Sequence, residues 1–345
     1  MIDGPILNTV LLIAAMQLLW ACSRESILTD KRLSINVSLA AEACKSVPKT
    51  GFETKVSRSL FALYDHSGVL VKSVKLSEGE TEVTFSGLFD GAYTIAAVTG
   101  DLPSEEEYTT LDDICNCEAD FSWNGYTEKS PGFTMFGKKS FVLDRTDPPA
   151  TLKIAASHSC ARIDVGTVKW DPAIWQNLGV KKSTLEDMFI LNAPSLVKVD
   201  GSPSDDPADV FNVWEDGHMV FPSCDALVKA TARLGIGIEV GAASGAALDY
   251  TLYCNPASDN ISVSGEKPFL VLKMSVVCTD GARVWYYSIP LCEDELHIES
   301  DSRYRLSALT MEGPGYDRPG ITGQRANLRY YLENEEKDDD EIIRY

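Results

Sequence analysis

Positive charge is scarce in this chain: 31 Lys and Arg stand against 51 Asp and Glu over 345 residues, a formal charge of -20. Nucleic acid needs clustered cations against its phosphates, so this balance argues against a polynucleotide partner. An anionic lipid surface repels such a chain for the same reason. Histidine is scarcer still, with only His66, His158, His218 and His297. None stands four residues from another on a helix-like stretch, so no zinc-type pair is spelled out. His158-Ser159-Cys160 sets a base beside two nucleophiles. Adjacency does not supply relay geometry, whose members usually come from separate segments. There is no Gly-x-Ser-x-Gly elbow and no phosphate loop. Gly235-Ile236-Gly237 runs into strand-like residues rather than a helix start, which rules out a dinucleotide fingerprint. Acids are abundant enough to leave a paired-carboxylate site open, but no spacing points to one. The reading is of a protein without catalytic residues, cofactor or metal, and not an enzyme.

Long apolar runs are also few. Ile6 to Ala21 is apolar apart from Asn8, Thr9 and Gln17. That is short for a membrane span, which needs about 20 predominantly apolar residues, and suits an export-signal core. It ends at Leu19-Trp20-Ala21-Cys22, which resembles a bacterial lipobox, where the cysteine thiol takes a diacylglycerol and becomes the new N-terminus. Lipidation at Cys22, with acyl chains of the palmitate kind, is therefore expected. One departure is that no Lys or Arg precedes Cys22, where an export signal usually carries positive charge. The other reading is an uncleaved anchor helix with Cys22 incidental; on both, a soluble body is tethered to a membrane. Removing Asp3, the sole charged residue of 1–21, moves the formal charge from -20 to -19. Such charge keeps a surface protein soluble.

Beyond Cys22 there are eight cysteines. An exported chain can form disulfides. Cys160, Cys254, Cys278 and Cys292 nevertheless sit in apolar strand-like runs, where free cysteine behaves as a small buried hydrophobe. Cys115-Asn116-Cys117 lacks zinc-knuckle spacing, and its state stays open.

Period-two alternation dominates the body of the chain. Leu33, Ile35, Val37 and Leu39 alternate with Ser34, Asn36 and Ser38, the pattern of a half-buried strand. Leu60–Tyr64, the turn Asp65-His66-Ser67-Gly68, Val69–Leu76, Glu82–Phe85 and Tyr93–Val98 follow without a helical period. Asp101–Pro131 is an acidic insertion, expected to be a solvated loop with one short helix around Glu105–Ile114; its acids lack calcium-loop spacing. Phe133–Gly137, Ser140–Leu143 and Thr151–Ala155 restart strands, and Cys160–Val165 is read as closing the first sandwich. Further strands are expected at Phe189–Leu191, Leu234–Ile238, Tyr250–Cys254, Phe269–Cys278, Val284–Ile289 and Tyr304–Met311, with Phe269–Val277 central. Of the tryptophans, Trp123, Trp170, Trp214 and Trp285 are candidate sugar-stacking platforms; Trp285 reads as core, and Trp123 as the most plausibly exposed. The last 13 residues hold seven acids and are expected to be a disordered tail.

Several of these stretches, in this order, resemble the fimbrillins of Bacteroidales, the subunits and accessory proteins of type V pili. They are the lipobox and tether; Leu60-Phe61-Ala62-Leu63-Tyr64-Asp65 with Gly68–Lys72 and Gly91–Ile95; Phe133–Gly137 and Cys160–Val165; Tyr250–Pro256; Tyr286–Leu291, Ser302–Leu306 and Gly313–Pro319. The likeness covers most of residues 20–320 and rests on order and spacing, since each stretch is only a strand with a turn. It implies an all-β chain of two transthyretin-like Greek-key β-sandwich domains in tandem. The expected division is a signal peptide 1–21, a tether 22–31, sandwiches 32–169 and 170–325, and an acidic tail 326–345. It also implies a lipid-anchored fimbrial accessory subunit, of the anchor kind, at the outer membrane and facing outward, that supports cell adhesion. Its partners would be stalk or accessory subunits joined by strand complementation, in which a neighbour's strand fills a groove left by a missing one. Stalk precursors of the family lose an N-terminal strand after proteolysis at an arginine, whereas an anchor keeps that strand and its lipid. Arg32 precedes the first strand here and Arg58 follows it. Residues 326–332 are the only candidate C-terminal donor. The alternative is a surface lipoprotein that binds glycan or host protein, an adhesin or tip subunit acting through the 101–131 insertion.

Overall fold

The computed structural model describes residues 32–41, 55–56, 58–100, 102–120, 133–146, 151–204, 210–211, 214–215, 218–219, 231–243, 245–257, 267–292, 297–319, 327–334 and 343–344. Cys22 with its leader and tether, Cys44, Cys224 and Trp123 lie outside these residues.

The alternating stretches become strands because each has one apolar face to bury and β-branched or aromatic residues to fill it. The first group is β1 (Leu33–Ala41), β2 (Ser59–Asp65), β3 (Leu70–Leu76), β4 (Glu82–Leu88), β5 (Gly91–Thr99), β6 (Glu118–Asp120), β7 (Met135–Leu143) and β8 (Leu152–His158). Seven of these make one sheet in the order β3-β2-β5-β7-β8-β1-β4. The β7–β8 ladder holds only Met135 and Phe136 against His158 and Ser157, and there the sheet folds over on itself. Ile35, Val37 and Leu39 thereby share a core with Phe61, Leu63, Phe85, Ile95 and Ile154.

The second group begins at β9 (Ala161–Trp170), which a six-residue helix, Pro172–Asn177, links to β10 (Val180–Leu191). Asp171 caps that helix, its carboxylate accepting from the Ala173 and Ile174 amides, and Pro172 sits where a missing N–H costs nothing. Then come β11 (Ala193–Pro194), β12 (Leu196–Lys198), the two-residue strands β13 (Val210–Phe211), β14 (Trp214–Glu215), β15 (His218–Met219), β16 (Ala232–Arg233) and β17 (Ile238–Glu239), and β18 (Ala246–Cys254). The chain continues through β19 (Phe269–Cys278), β20 (Gly281–Pro290), β21 (Arg303–Met311), β22 (Leu328–Asn334) and β23 (Ile343–Arg344). One sheet runs β16-β10-β19-β20 with β17 also on β10, and another runs β18-β9-β21-β22-β23. β19 is central, as its clean face of Leu270, Leu272, Met274 and Val276 requires.

Four expectations are corrected here. Cys160–Val165 does not close the first sandwich: β9 pairs with β18 and β21, so the chain crosses between sheet systems at Ser159-Cys160 rather than at 169/170. Residues 326–345 are not all tail, because β22 pairs along β21 and buries Leu328, Tyr330 and Leu332; the adjoining acids masked an alternation that was there. Leu234–Ile238 is not a strand. Gly235 and Gly237 adopt positive φ, and residues 234–237 form the break between β16 and β17. The insertion is more than a solvated loop, since Tyr108, Ile114, Cys117 and Ala119 are buried against the outer face of β2 and β5. Its helix Leu111–Asn116 is held by a capping box in which Thr110 and Asp113 satisfy each other's amides.

Candidate functional site: the slot of the first strand

Three inward side chains and a row of backbone groups hold β1 in place. Ile35, Val37 and Leu39 are buried, while Ser34 and Asn36 face solvent. Burial of three aliphatic side chains is worth on the order of 5–9 kcal/mol before chain entropy is subtracted. The two ladders are staggered. Leu33 to Ser38 run antiparallel to β4, and Val37 to Ala41 run parallel to β8, so each neighbour holds one half of the strand. Leu39 also donates to the Thr81 carbonyl at 2.8 Å, and Thr84 donates its hydroxyl to the Asn36 side chain at 2.8 Å. β1 is thus a middle strand that comes first in the chain. Taking it out leaves β4 and β8 each with an unpaired edge and a three-pocket groove between them.

Of the two arginines flagged by the sequence, Arg32 immediately precedes this strand and Arg58 immediately precedes β2. Arg32 sets its guanidinium 5.9 Å from the Phe89 ring centroid, within cation–π reach. Arg58 is exposed just ahead of β2, its Nε donating to the Gly100 carbonyl at 3.1 Å while the Gly100 amide returns a bond to the Arg58 carbonyl at 3.2 Å. Gly100 has φ +82°, and a Cβ there would stand 2.7 Å from the Phe133 carbonyl oxygen. Gly79 shares the same φ but opens onto free space. Gly79→Ala is expected to cost roughly 1 kcal/mol from backbone strain alone, and Gly100→Ala roughly 3 because strain and collision add. Denaturant unfolding of the two variants measures the difference.

The remaining sequence candidates fall into the scaffold. His158 is buried, its amide donating to Asp301 at 3.1 Å and its Nδ1 lying 3.5 Å from the same carboxylate, at the crossing between sheet systems. His66 is an exposed turn residue. Trp170 is fully buried, donates to the Ser183 hydroxyl at 3.0 Å and packs on Trp175, Trp285 and Tyr287, so it offers no sugar platform. Cys160, Cys254, Cys278 and Cys292 are buried, as expected. Cys117 is also buried and free, its pKa pushed up to about 12 first by burial and then by Glu107 and Asp113. Among the described residues, no three His, Cys, Asp or Glu side chains converge on a metal position.

One polar cluster is not evident from the sequence. Asp164 on β9 accepts from Arg162 at 3.1 Å, from Arg303 on β21 at 2.7 Å and from Thr251 on β18 at 2.6 Å. Burial would raise its pKa, but the Thr251 hydrogen bond and the two guanidinium groups outweigh that and hold it below the usual carboxylate value. The signal was an Arg-x-Asp pair, placing both charges on one face of a strand.

No family model matches the chain, and no curated protein does. Solved structures do. A protein named for cell adhesion from Bacteroides eggerthii DSM 20697 superposes with TM-score 0.61 at 12% identity, covering 88% of this chain and 95% of its own. Another so named, from Parabacteroides distasonis ATCC 8503, gives 0.58 at 15% identity, over 88% and 99%. A fimbrilin from Porphyromonas gingivalis W83 gives 0.61 at 13% identity, over 87% and 96%. The chain therefore has the all-β fold of a fimbrilin and of proteins named for cell adhesion, along nearly their full length.

Proposed function

We propose that this chain is a fimbrial accessory subunit of the anchor kind, held at the outer membrane by lipid on Cys22 and joined to other subunits by strand exchange. The observation that carries it is β1, a single N-terminal strand seated between β4 and β8 and buried along one face. A strand so placed seals the groove while it stays and creates it when it leaves. The fold shared with a fimbrilin supports the same reading, and so does the lipobox-like Leu19–Cys22 upstream of β1. The role is structural rather than enzymatic, exercised through backbone pairing and alternate side-chain pockets.

The reading is tested in cells. With Cys22→Ala, filaments containing this subunit are expected to be shed into the medium while their assembly continues. Filaments that stay cell-bound with the subunit unacylated contradict the anchor role. The second reading, a surface lipoprotein that binds glycan or host protein, is favoured by the folds named for cell adhesion. Adhesion lost by purified chain variants that still assemble into filaments would favour it.

A further inference from the structure

The acidic insertion and a three-residue strand from the second sheet system build a ladder that neither system makes alone. β12 lies antiparallel to β6, with Leu196 opposite Asp120, Val197 opposite Ala119 and Lys198 opposite Glu118. The Val199 amide extends the ladder to the Cys117 carbonyl at 2.8 Å, and Ser204 bonds Glu118. We propose that this ladder is a clasp that locks the two sheet systems into one cooperative unit.

Burial shows what the clasp covers. Val197 and Val199 are 0% and 1% exposed, in one cluster with Leu60, Ala62 and Tyr64 of β2 and Ala96 and Val98 of β5. Those are the outward residues of β2 and β5, whose inward partners Phe61, Leu63, Ile95 and Ala97 belong to the core. β2 is thus apolar on both faces, and its outer face is closed jointly by the insertion and by a segment lying 130 residues further on. The insertion is itself fixed to the first system: Leu70 donates to the Thr109 carbonyl at 3.0 Å, Leu111 to the Gly68 carbonyl at 2.8 Å, and the Tyr64 hydroxyl to the Tyr108 carbonyl at 3.1 Å.

The strap is equally fixed at its own end. It leaves β10 through β11 and turns back at Lys198–Gly201, where the Gly201 amide donates to the Lys198 carbonyl at 2.8 Å. Asp200 holds the turn by accepting from the Ser202 amide and hydroxyl at 3.0 and 2.6 Å. Gly201, at φ +84°, packs on Ser300, with the Ser159 Cα 3.7 Å from where its Cβ would stand. The tip of the strap therefore rests on the point where the chain crosses from β8 to β9. Besides the strap, the two systems meet at that crossing, where the Phe133 ring lies 4.6 Å from that of Tyr253 on β18 and Asp301 accepts from the His158 amide, a narrow junction of the kind that permits relative motion when nothing else braces it.

The test uses the full chain from Cys22. Val197→Asp with Val199→Asp places two carboxylates in the apolar cluster that includes Leu60 and Val98, whereas Lys198→Ala, on the half-exposed side, is the control. Wild type and the control are expected to unfold in one calorimetric transition, and the double aspartate variant in two. Should the aspartates prevent folding, Val197→Ala with Val199→Ala is measured in the same way. A distance distribution between spin labels on non-natural residues at the exposed Val142 and Val284 gives the second readout. It is expected to be narrow in wild type and at least twofold broader in the folded double variant. A folded double variant that keeps a single transition and the wild-type distribution overturns the clasp.

Discussion

Starting the chain at Ser59 is expected to yield a protein that self-associates and that binds a synthetic peptide of residues 32–41. Truncation strips β1 from the sheet: β3, β2, β5, β7 and β8 stay paired, while β4 loses its ladder and is held by the packing of Val83, Phe85 and Leu88 in the core, so the fold survives with a groove between β4 and β8. Buried Phe85 and Ile154 lie in the core it packs on and become partly wet, and the carbonyls and amides that paired with Leu33–Ala41 lose their partners. An exposed groove of this kind is a template for another strand, which is why the truncated chain self-associates. Peptide binding draws on the burial of Ile35, Val37 and Leu39 but must order a ten-residue coil. The surplus corresponds to a dissociation constant on the order of micromolar. A peptide carrying Val37→Asp places a carboxylate at the strand's midpoint, where both ladders overlap, and is expected to bind at least ~100-fold more weakly. Isothermal calorimetry on the two peptides is the measurement. A monomeric truncated protein that ignores both peptides contradicts strand exchange.

Asp164→Asn is expected to be the most destabilising conservative substitution in the second sheet system, at about 3–5 kcal/mol. The amide keeps the shape of the carboxylate and removes its charge, leaving Arg162, itself 0% exposed, and Arg303 beside a neutral group. The loss is felt on three strands, because Arg303 pairs with Arg162 and Thr251 with Asp164 in the ladders of β9. In a chain of this size that is a fall in Tm of about 6–15 °C. The pH dependence has a definite sign. Asp164 has a lowered pKa in the folded protein, so its contribution is present above the ordinary carboxylate value and drains away as pH falls through the lowered one. Wild type should therefore lose stability steeply below about pH 4, and Asp164→Asn should show a shallower acid limb. Parallel limbs would mean that Asp164 does not carry the effect.

Most strands could be read from alternation, and the misreadings share a cause. β1, β2 and β19 each put an unbroken apolar row on one face, and period-two reading found them. β10 was recognised only over its last three residues because bulges at Val180/Lys182 and Leu185/Asp187 shift its phase. β22 hid beside an acidic run. The assignment of β9 failed differently: Cys160–Val165 looks the same whichever sheet receives it, and its partners, β18 and β21, lie about 80–140 residues away. The β1 slot was legible as a strand and two arginines, but its parallel pairing with β8 was not. The clasp was invisible, since three residues of β12 carry no periodicity.

Lipid anchoring with β1 retained is tested most directly at the N-terminus of the mature protein recovered from sheared native filaments. Intact mass and N-terminal peptide mapping are expected to show a chain beginning at Cys22, carrying diacylglycerol and acyl mass, with residues 32–41 still attached. A chain beginning at Ser59, or one beginning near residue 22 without acyl mass, contradicts it.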